Sequence, residues 1–316
     1  MIRMSANASN PTPPGSSAAG PLDGAVRLAD WGVIRAAGAD ARSFLQGQLT
    51  QDLQGVQPGQ ARLAGYCSPK GRLLASFVVW SASADEFLLA CSADLLAPTL
   101  KRLSMYVLRA RCKLSDASAD VPLRGVAGPA AAALPVWGQD HGLIRLPDGR
   151  LDGQPVPRAL AIGAAPVAGT LDAATWAGLE ASSGVVRIVA ATTEQFVPQM
   201  VNLELVGGVS FAKGCYPGQE VVARSQYRGT LKRRAYVLSS GHPVQPGQEV
   251  YTGTDAAQPA GLVALAGPLA GQHVVLAELK IAAVEDGAPL TLGAPNGPPL
   301  ALGELPYAIP LAAEGA

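Results

Sequence analysis

Apolar and polar positions trade places over short distances along most of this chain, which is the signature of strands more than of long helices. Ala61–Cys67 (ARLAGYC) and Leu73–Trp80 (LLASFVVW) read as strands, and Ser68-Pro69-Lys70-Gly71 between them supplies hairpin chemistry. Glu86–Cys91 is a further strand, and residues 26–36 (VRLADWGVIRA) read as a short strand pair. Two apolar sets recur at helical spacing. Phe44, Leu45 and Leu49 follow Asp40, and Leu96, Leu100, Leu103 and Val107 form the second set. Thr170 is the expected N-cap of a helix through Leu179, with Asp172 in its first turn.

Residues 116–160 are weakly patterned and rich in Gly and Pro, and residues 184–215 hold short apolar pieces between polar turns. Gly218 to Tyr227 is helical in pattern, with Val221, Val222 and Ser225 to one side. From Arg234 onward short strand candidates crowd together (RRAYVLSS, EVYTG, GLVALA, HVVLAEL, PLTL), which predicts a small β-barrel or sandwich. Strands mixed with helices and joined by tight turns predict an α+β fold, not a doubly wound parallel sheet. The expected divisions are a disordered leader (1–23), an α+β lobe (24–115), a second α+β lobe (116–233) and a C-terminal β-barrel (234–316).

Composition narrows the function. With 48% hydrophobic and 15% charged residues in 316, a sizeable core can be buried. Lys+Arg and Asp+Glu both number 24, which excludes a general basic coat for nucleic acid but not a local patch. The four cysteines (Cys67, Cys91, Cys112, Cys215) form no C-x-x-C, and the three histidines are scattered, so no self-contained metal or Fe–S site is expected. Reduced thiols and a cytoplasmic location are the expectation. No secretory signal or run of about 18 apolar residues is visible.

The densest chemistry lies in Phe211-Ala-Lys-Gly-Cys-Tyr-Pro-Gly-Gln-Glu220. Pro217-Gly218 suits a type II turn, with Gly218 free to take positive φ. Cys215 then precedes a helix N-terminus, with Lys213 close by and Arg224 on the helix, features that favour a thiolate. Such a thiol fits a nucleophile, a transient metal ligand, a redox sensor, or simply a small buried hydrophobe. Arg224, Arg228, Lys232, Arg233 and Arg234, with Tyr227 interleaved, form a basic run that fits either a polyanion site or a solvated face.

The segments LADWGVI, FLQGQLTQDL, SPKGRLL, EQFVPQMVNLELVGGVSFAKGCYPGQEVVAR, YRGTLKRRA and ELPYAIP together resemble the bacterial YgfZ family, folate-binding relatives of the glycine cleavage T-protein. The resemblance runs from about residue 22 to 307, and its K-G-C-Y-x-G-Q-E element is complete from Lys213 through Gly214, Cys215, Tyr216, Gly218 and Gln219 to Glu220. It implies a three-lobed fold around a central tetrahydrofolate pocket. It also implies support of Fe–S cluster assembly or repair in selected enzymes, some of which thiolate tRNA. By the same resemblance Cys215 is the functional thiol, with Lys213 and Glu220 beside it in the motif. Trp31 and Trp176 match tryptophans that contact folate. Trp80 and Trp137 have no such match and read as core residues.

One departure bears on activity. The T-protein carries acidic residues on the segment that matches Gly71–Trp80, where this chain has Ala75 and Ser76. A methyl and a hydroxyl cannot take a proton as a carboxylate does. The resemblance therefore points to a folate-dependent assembly factor serving Fe–S enzymes or assembly proteins, with an aminomethyltransferase-type one-carbon transferase as the alternative. A direct RNA-binding role through Arg224–Arg234 is the third, weakened by the balanced charge.

Overall fold

The computed structural model describes residues 22–163, 169–227, 231–253 and 258–310. Most of the expected leader lies outside them. In chain order the elements are β1 (Gly24–Arg27), β2 (Trp31–Ala37), α1 (Ala41–Gln46), β3 (Ala61–Cys67), β4 (Leu73–Ser83), β5 (Glu86–Ser92), α2 (Ala93–Val107) and β6 (Lys113–Asp116). There follow β7 (Leu123–Ala127), α3 (Pro129–Ala132), β8 (Gln139–Asp140), β9 (Leu143–Leu151), β10 (Gln154–Ile162), α4 (Ala173–Ser182) and α5 (Gln219–Tyr227). The last are β11 (Arg233–Ser240), β12 (Glu249–Thr252), β13 (Gly261–Leu269), β14 (Gln272–Lys280), α6 (Ile281–Glu285), β15 (Leu290–Leu292) and β16 (Pro299–Leu302).

These strands build two five-stranded sheets, ordered β3-β4-β5-β2-β6 and β1-β7-β10-β9-β8, and one closed barrel, β11-β14-β13-β12-β15-β16. The expected α+β class holds. In the first sheet β4 buries residues on both faces. Phe77 and Val79 pack on one side with α1 and α2 through Phe44, Leu45 and Leu103. Val78 and Trp80 pack on the other, against Ile144, Leu146, Leu160 and Trp176 of the second lobe. A strand covered on both sides reads as a continuous apolar run, which is why LLASFVVW shows little alternation.

The structure corrects several expectations. Residues 26–36 are not a hairpin: β1 pairs with β7 of the second sheet (Val26 opposite Gly125), while β2 pairs with β5 and β6 of the first. The second lobe thus recruits a strand from before residue 28. The featureless stretch 116–160 contains β7, β8, β9 and most of β10. Asp172, not Thr170, caps α4: its carboxylate accepts from the Thr175 backbone N–H at 2.7 Å and from the Thr175 hydroxyl at 2.8 Å. These bonds hold the Asp172 carboxyl below its usual range. Glycine permits one close approach inside the second lobe, because a Cβ on Gly125 would lie 2.5 Å from the Trp176 ring.

Candidate functional site

Two features carry chemistry, a cavity where the sheets meet and the loop bearing Cys215. The cavity has a volume of about 40 Å³ and is lined by Trp31, Leu63, Ser76, Phe77, Val78, Ala90, Trp137, Leu146, Pro147, Arg158, Glu180, Val185, Val186 and Arg187. Strands β2, β4, β9 and β10 and helix α4 each supply part of the wall.

Its electrostatics centre on Arg187. That guanidinium donates to Glu180 through Nε at 2.7 Å and Nη2 at 3.0 Å, to Asp30 at 2.7 Å, and to the Ser92 hydroxyl at 2.9 Å. Its carbon lies 4.8 Å from the Trp31 ring centroid, a cation–π distance. Burial acts to lower the pKa of Arg187, but Glu180 and Asp30 outweigh it and hold the guanidinium charged. Both oxygens of Glu180 are committed to this arginine, so that carboxylate is not free to act as a base.

Ser76 lies on the cavity wall at the position where the T-protein resemblance calls for an acid. Its Oγ accepts the Ile188 N–H at 2.9 Å, which leaves its O–H proton for a ligand. Ala75 faces the core of the first lobe. Trp31 reaches the wall, and its Nε1 is buried without a partner among the described residues. Trp176 does not reach it. Its ring lies beneath Arg158, 5.3 Å from the guanidinium carbon, in the core between the sheets. Trp137, read from sequence as core, is on the wall, with φ of +66°. Trp80 is core as expected.

The side chains around the cavity have the chemistry that suits a flat, polar-edged group such as a pterin. Apolar walls and the Trp31 indole offer stacking, and the unpartnered Trp31 Nε1 and the Arg158 guanidinium offer donors to ring acceptors.

The second feature is built on a turn. Gly218 takes φ of +79°, and a Cβ there would lie 2.4 Å from the Ser68 carbonyl oxygen and 2.7 Å from the Gly71 Cα. Only glycine permits the motif turn to seat on the Ser68–Gly71 hairpin. Helix α5 follows, with Val222 buried and Val221 and Glu220 outward. Cys215 is exposed on the loop before it, whereas Cys67, Cys91 and Cys112 are buried.

Lys213 has a bonding role that its place in the motif did not suggest. It is 8% exposed, and its Nζ donates to the carbonyls of Gln46 and Leu49 (2.5 Å for the latter) while lying 5.0 Å from the Tyr216 ring centroid. It anchors the loop to the end of α1 instead of directing its bonds at the thiol. Burial pushes its pKa down to about 8, and Asp52 and Cys215 pull the other way. Glu220 makes no hydrogen bond to Lys213. It borders a surface depression with Arg224 and Tyr227 instead. Gly214 is exposed, Tyr216 is buried, and Gln219 opens α5.

The basic run is not one patch. Arg234 is buried on Glu204 and also donates to the Gln199 carbonyl at 3.0 Å, and Arg233 pairs with Glu278 at 2.9 Å. Arg224 is exposed, and Arg228 lies outside the described residues. Among the described residues no cluster of His, Cys, Asp or Glu could hold a metal ion, and no helix is long and apolar enough to cross a membrane.

Residues 25–135 match the model of the GCVT N-terminal domain family. The tRNA-modifying protein YgfZ of Edwardsiella ictaluri is 34% identical over 255 residues, covering 72% of this chain and 74% of that protein. The chain belongs to the YgfZ family. The YgfZ protein of Hamiltonella defensa is 33% identical over 234 residues, covering 68% and 69% of the two chains. The crystal structure of the glycine cleavage system aminomethyltransferase T from Bartonella henselae superposes with a TM-score of 0.62 over 91% of this chain and 87% of that one. At 16% identity the likeness is one of fold, and a YgfZ family chain here carries the T-protein architecture without the T-protein sequence.

Sequence reasoning missed the Arg187 cluster, Arg158 and Trp137. The only signals were a charged residue inside the apolar runs GVVRIV and PVPRALAI and an aromatic beside Gly138.

Proposed function

We propose that this YgfZ family protein binds a reduced folate, tetrahydrofolate or a derivative, in the cavity between its sheets. In this reading it supports assembly or repair of Fe–S clusters in selected enzymes through Cys215. Its bearing on tRNA is indirect, through Fe–S enzymes that methylthiolate tRNA. The observation that carries the reading is the pairing of a tryptophan-lined cavity with one exposed thiol on an anchored loop. The loop and cavity share a continuous apolar layer that includes Leu63, Val186 and Val222.

Aminomethyl transfer is disfavoured by the same geometry. Ser76 and Ala75 stand where an acid would be needed, and Glu180 is bonded to Arg187 through both oxygens. The cytoplasm, where such client enzymes and thiols are kept reduced, is the location that fits.

The test is complementation of a strain lacking the protein, scored by Fe–S enzyme activities and tRNA methylthiolation. Wild type restores both, and Cys215→Ala restores neither while still binding tetrahydrofolate. A strain with normal Fe–S activities and methylthiolation in the absence of the protein would remove the proposal. Turnover of a lipoyl-bound aminomethyl donor to methylenetetrahydrofolate would favour the transferase instead.

A further inference from the structure

Among the described residues the cavity wall presents buried hydrogen-bond donors, and Arg158 is the clearest case. It is 2% exposed, on the cavity wall, and its Nε and Nη2 both donate to a single acceptor, the Pro147 carbonyl, at 3.2 and 3.0 Å. Among the described residues no carboxylate is bonded to it. Glu180 gives both oxygens to Arg187, and Asp148 is bonded to Arg145, so both act on Arg158 only through space. Burial pushes its pKa down to about 10, which still leaves it charged at neutral pH. A buried cation without a bonded anion is costly, and native structures ordinarily supply the partner.

The rest of the wall has the same bias. Trp31 Nε1–H is buried and unpartnered, and the Ser76 hydroxyl has accepted a backbone bond and retains its proton. A ligand that fits must therefore turn acceptors, not donors, toward β10 and β4.

We infer that Arg158 is a specificity-determining residue of the cavity, which takes a carbonyl or carboxylate oxygen of the bound ligand as its missing partner. The inference rests on the folate reading above. A reduced folate offers such an oxygen from the pterin ring carbonyl and from its glutamate carboxylates. Trp31 Nε1 supplies a second donor on the cavity wall, and the planar fork of an arginine is suited to an oxygen with two lone pairs.

The experiment is calorimetric titration of the full-length protein with two probes, tetrahydrofolate and 6-methyltetrahydropterin, which lacks the glutamate. Wild type, Arg158→Gln and Arg158→Lys are compared, with near-ultraviolet circular dichroism to verify folding. Loss of one charge-assisted bond is expected to weaken binding to Arg158→Gln roughly tenfold or more, with Arg158→Lys between it and wild type. Weakening of both probes assigns the ring carbonyl, and weakening of tetrahydrofolate alone assigns a glutamate carboxylate. Wild-type affinity of Arg158→Gln for both probes overturns the inference and leaves the folate reading intact. If wild type binds neither probe, the folate reading itself fails and the inference falls with it. Should Arg158→Gln not fold, Arg158→Lys decides: weaker binding supports the inference and unchanged binding overturns it.

Discussion

The ammonium of Lys213 lies 2.5 Å from the carbonyl oxygen of Leu49, two positions 164 residues apart in the chain. Together with the bond to Gln46 and the seat of Gly218 on the Ser68–Gly71 hairpin, it fixes the loop that exposes Cys215. The thiol is thus presented from an anchored loop.

That relationship predicts the behaviour of Lys213→Met. The substitution leaves two carbonyls without their donor and should lower stability by about 1–3 kcal/mol at neutral pH. Its pH dependence has a definite sign. Lysine ordinarily titrates near 10.5, and in the folded protein Lys213 titrates at about 8. Between those values the unfolded chain holds the proton and the folded chain does not, so this group adds stability as pH rises through the window and loses it as pH falls through about 8. Urea unfolding at pH 7.5 and 9.5 should show wild type gaining on Lys213→Met at the higher pH. A constant gap would show that the folded pKa is not lowered.

Gly218→Ala tests the turn. The added methyl meets the Ser68 carbonyl oxygen at 2.4 Å at a residue with φ of +79°, so backbone strain and displacement add together. A loss of roughly 1–3 kcal/mol is expected. The readout is thermal unfolding together with the rate at which Cys215 is alkylated, since the loop is the element displaced. Unchanged stability and alkylation would show that the hairpin does not constrain the motif.

Arg187→Leu tests the ionic cluster. Glu180 is buried, with its side chain 8% exposed, and Arg187 is its bonded partner, so removing the arginine strands a buried charge. Breaking such a pair costs about 3–5 kcal/mol. The double variant Arg187→Leu/Glu180→Gln should recover part of the loss, measured by urea unfolding. Additive losses in the double variant would mean the two side chains are not coupled.

How far the sequence revealed this molecule depended on where each residue's partner lies. Strands β3 to β5 and the motif turn were legible because alternation, hairpin chemistry and Gly218 are local signals. Strands β7 to β10 were not, because Pro147, Gly149, Pro155 and Pro157 interrupt the pattern and their burial comes from the facing sheet. The basic run misled for a similar reason: Glu204 and Glu278, which pair with Arg234 and Arg233, are 30 and 45 residues away. Arg187 and Glu180 are seven residues apart, a helical spacing, yet α4 ends at Ser182 and the pair closes across the turn that follows. Trp176 read as a ligand contact by resemblance, and only the placement of Arg158 over its ring shows that another side chain stands between it and the cavity.

Cysteine chemistry gives the most direct test of the exposed thiol. Burial pushes Cys67 and Cys91 up to about 12 and raises Cys112 as well, whereas Cys215 is exposed on its loop. At pH 8 a thiol of pKa near 12 is thiolate to roughly one part in ten thousand, and it is also shielded from reagent. Iodoacetamide at pH 8 should therefore modify Cys215 well before the other three, as read by peptide mass spectrometry, and the buried thiols should react only after denaturation. Cys215→Ala removes an exposed side chain beside a turn and should change stability by no more than about 0.5 kcal/mol. That small effect matters to the argument, because loss of Fe–S support in Cys215→Ala then reports on the thiol and not on folding. Equal labelling of all four cysteines in the folded protein would show that the loop does not single out Cys215, and the proposed function would lose its reactive group.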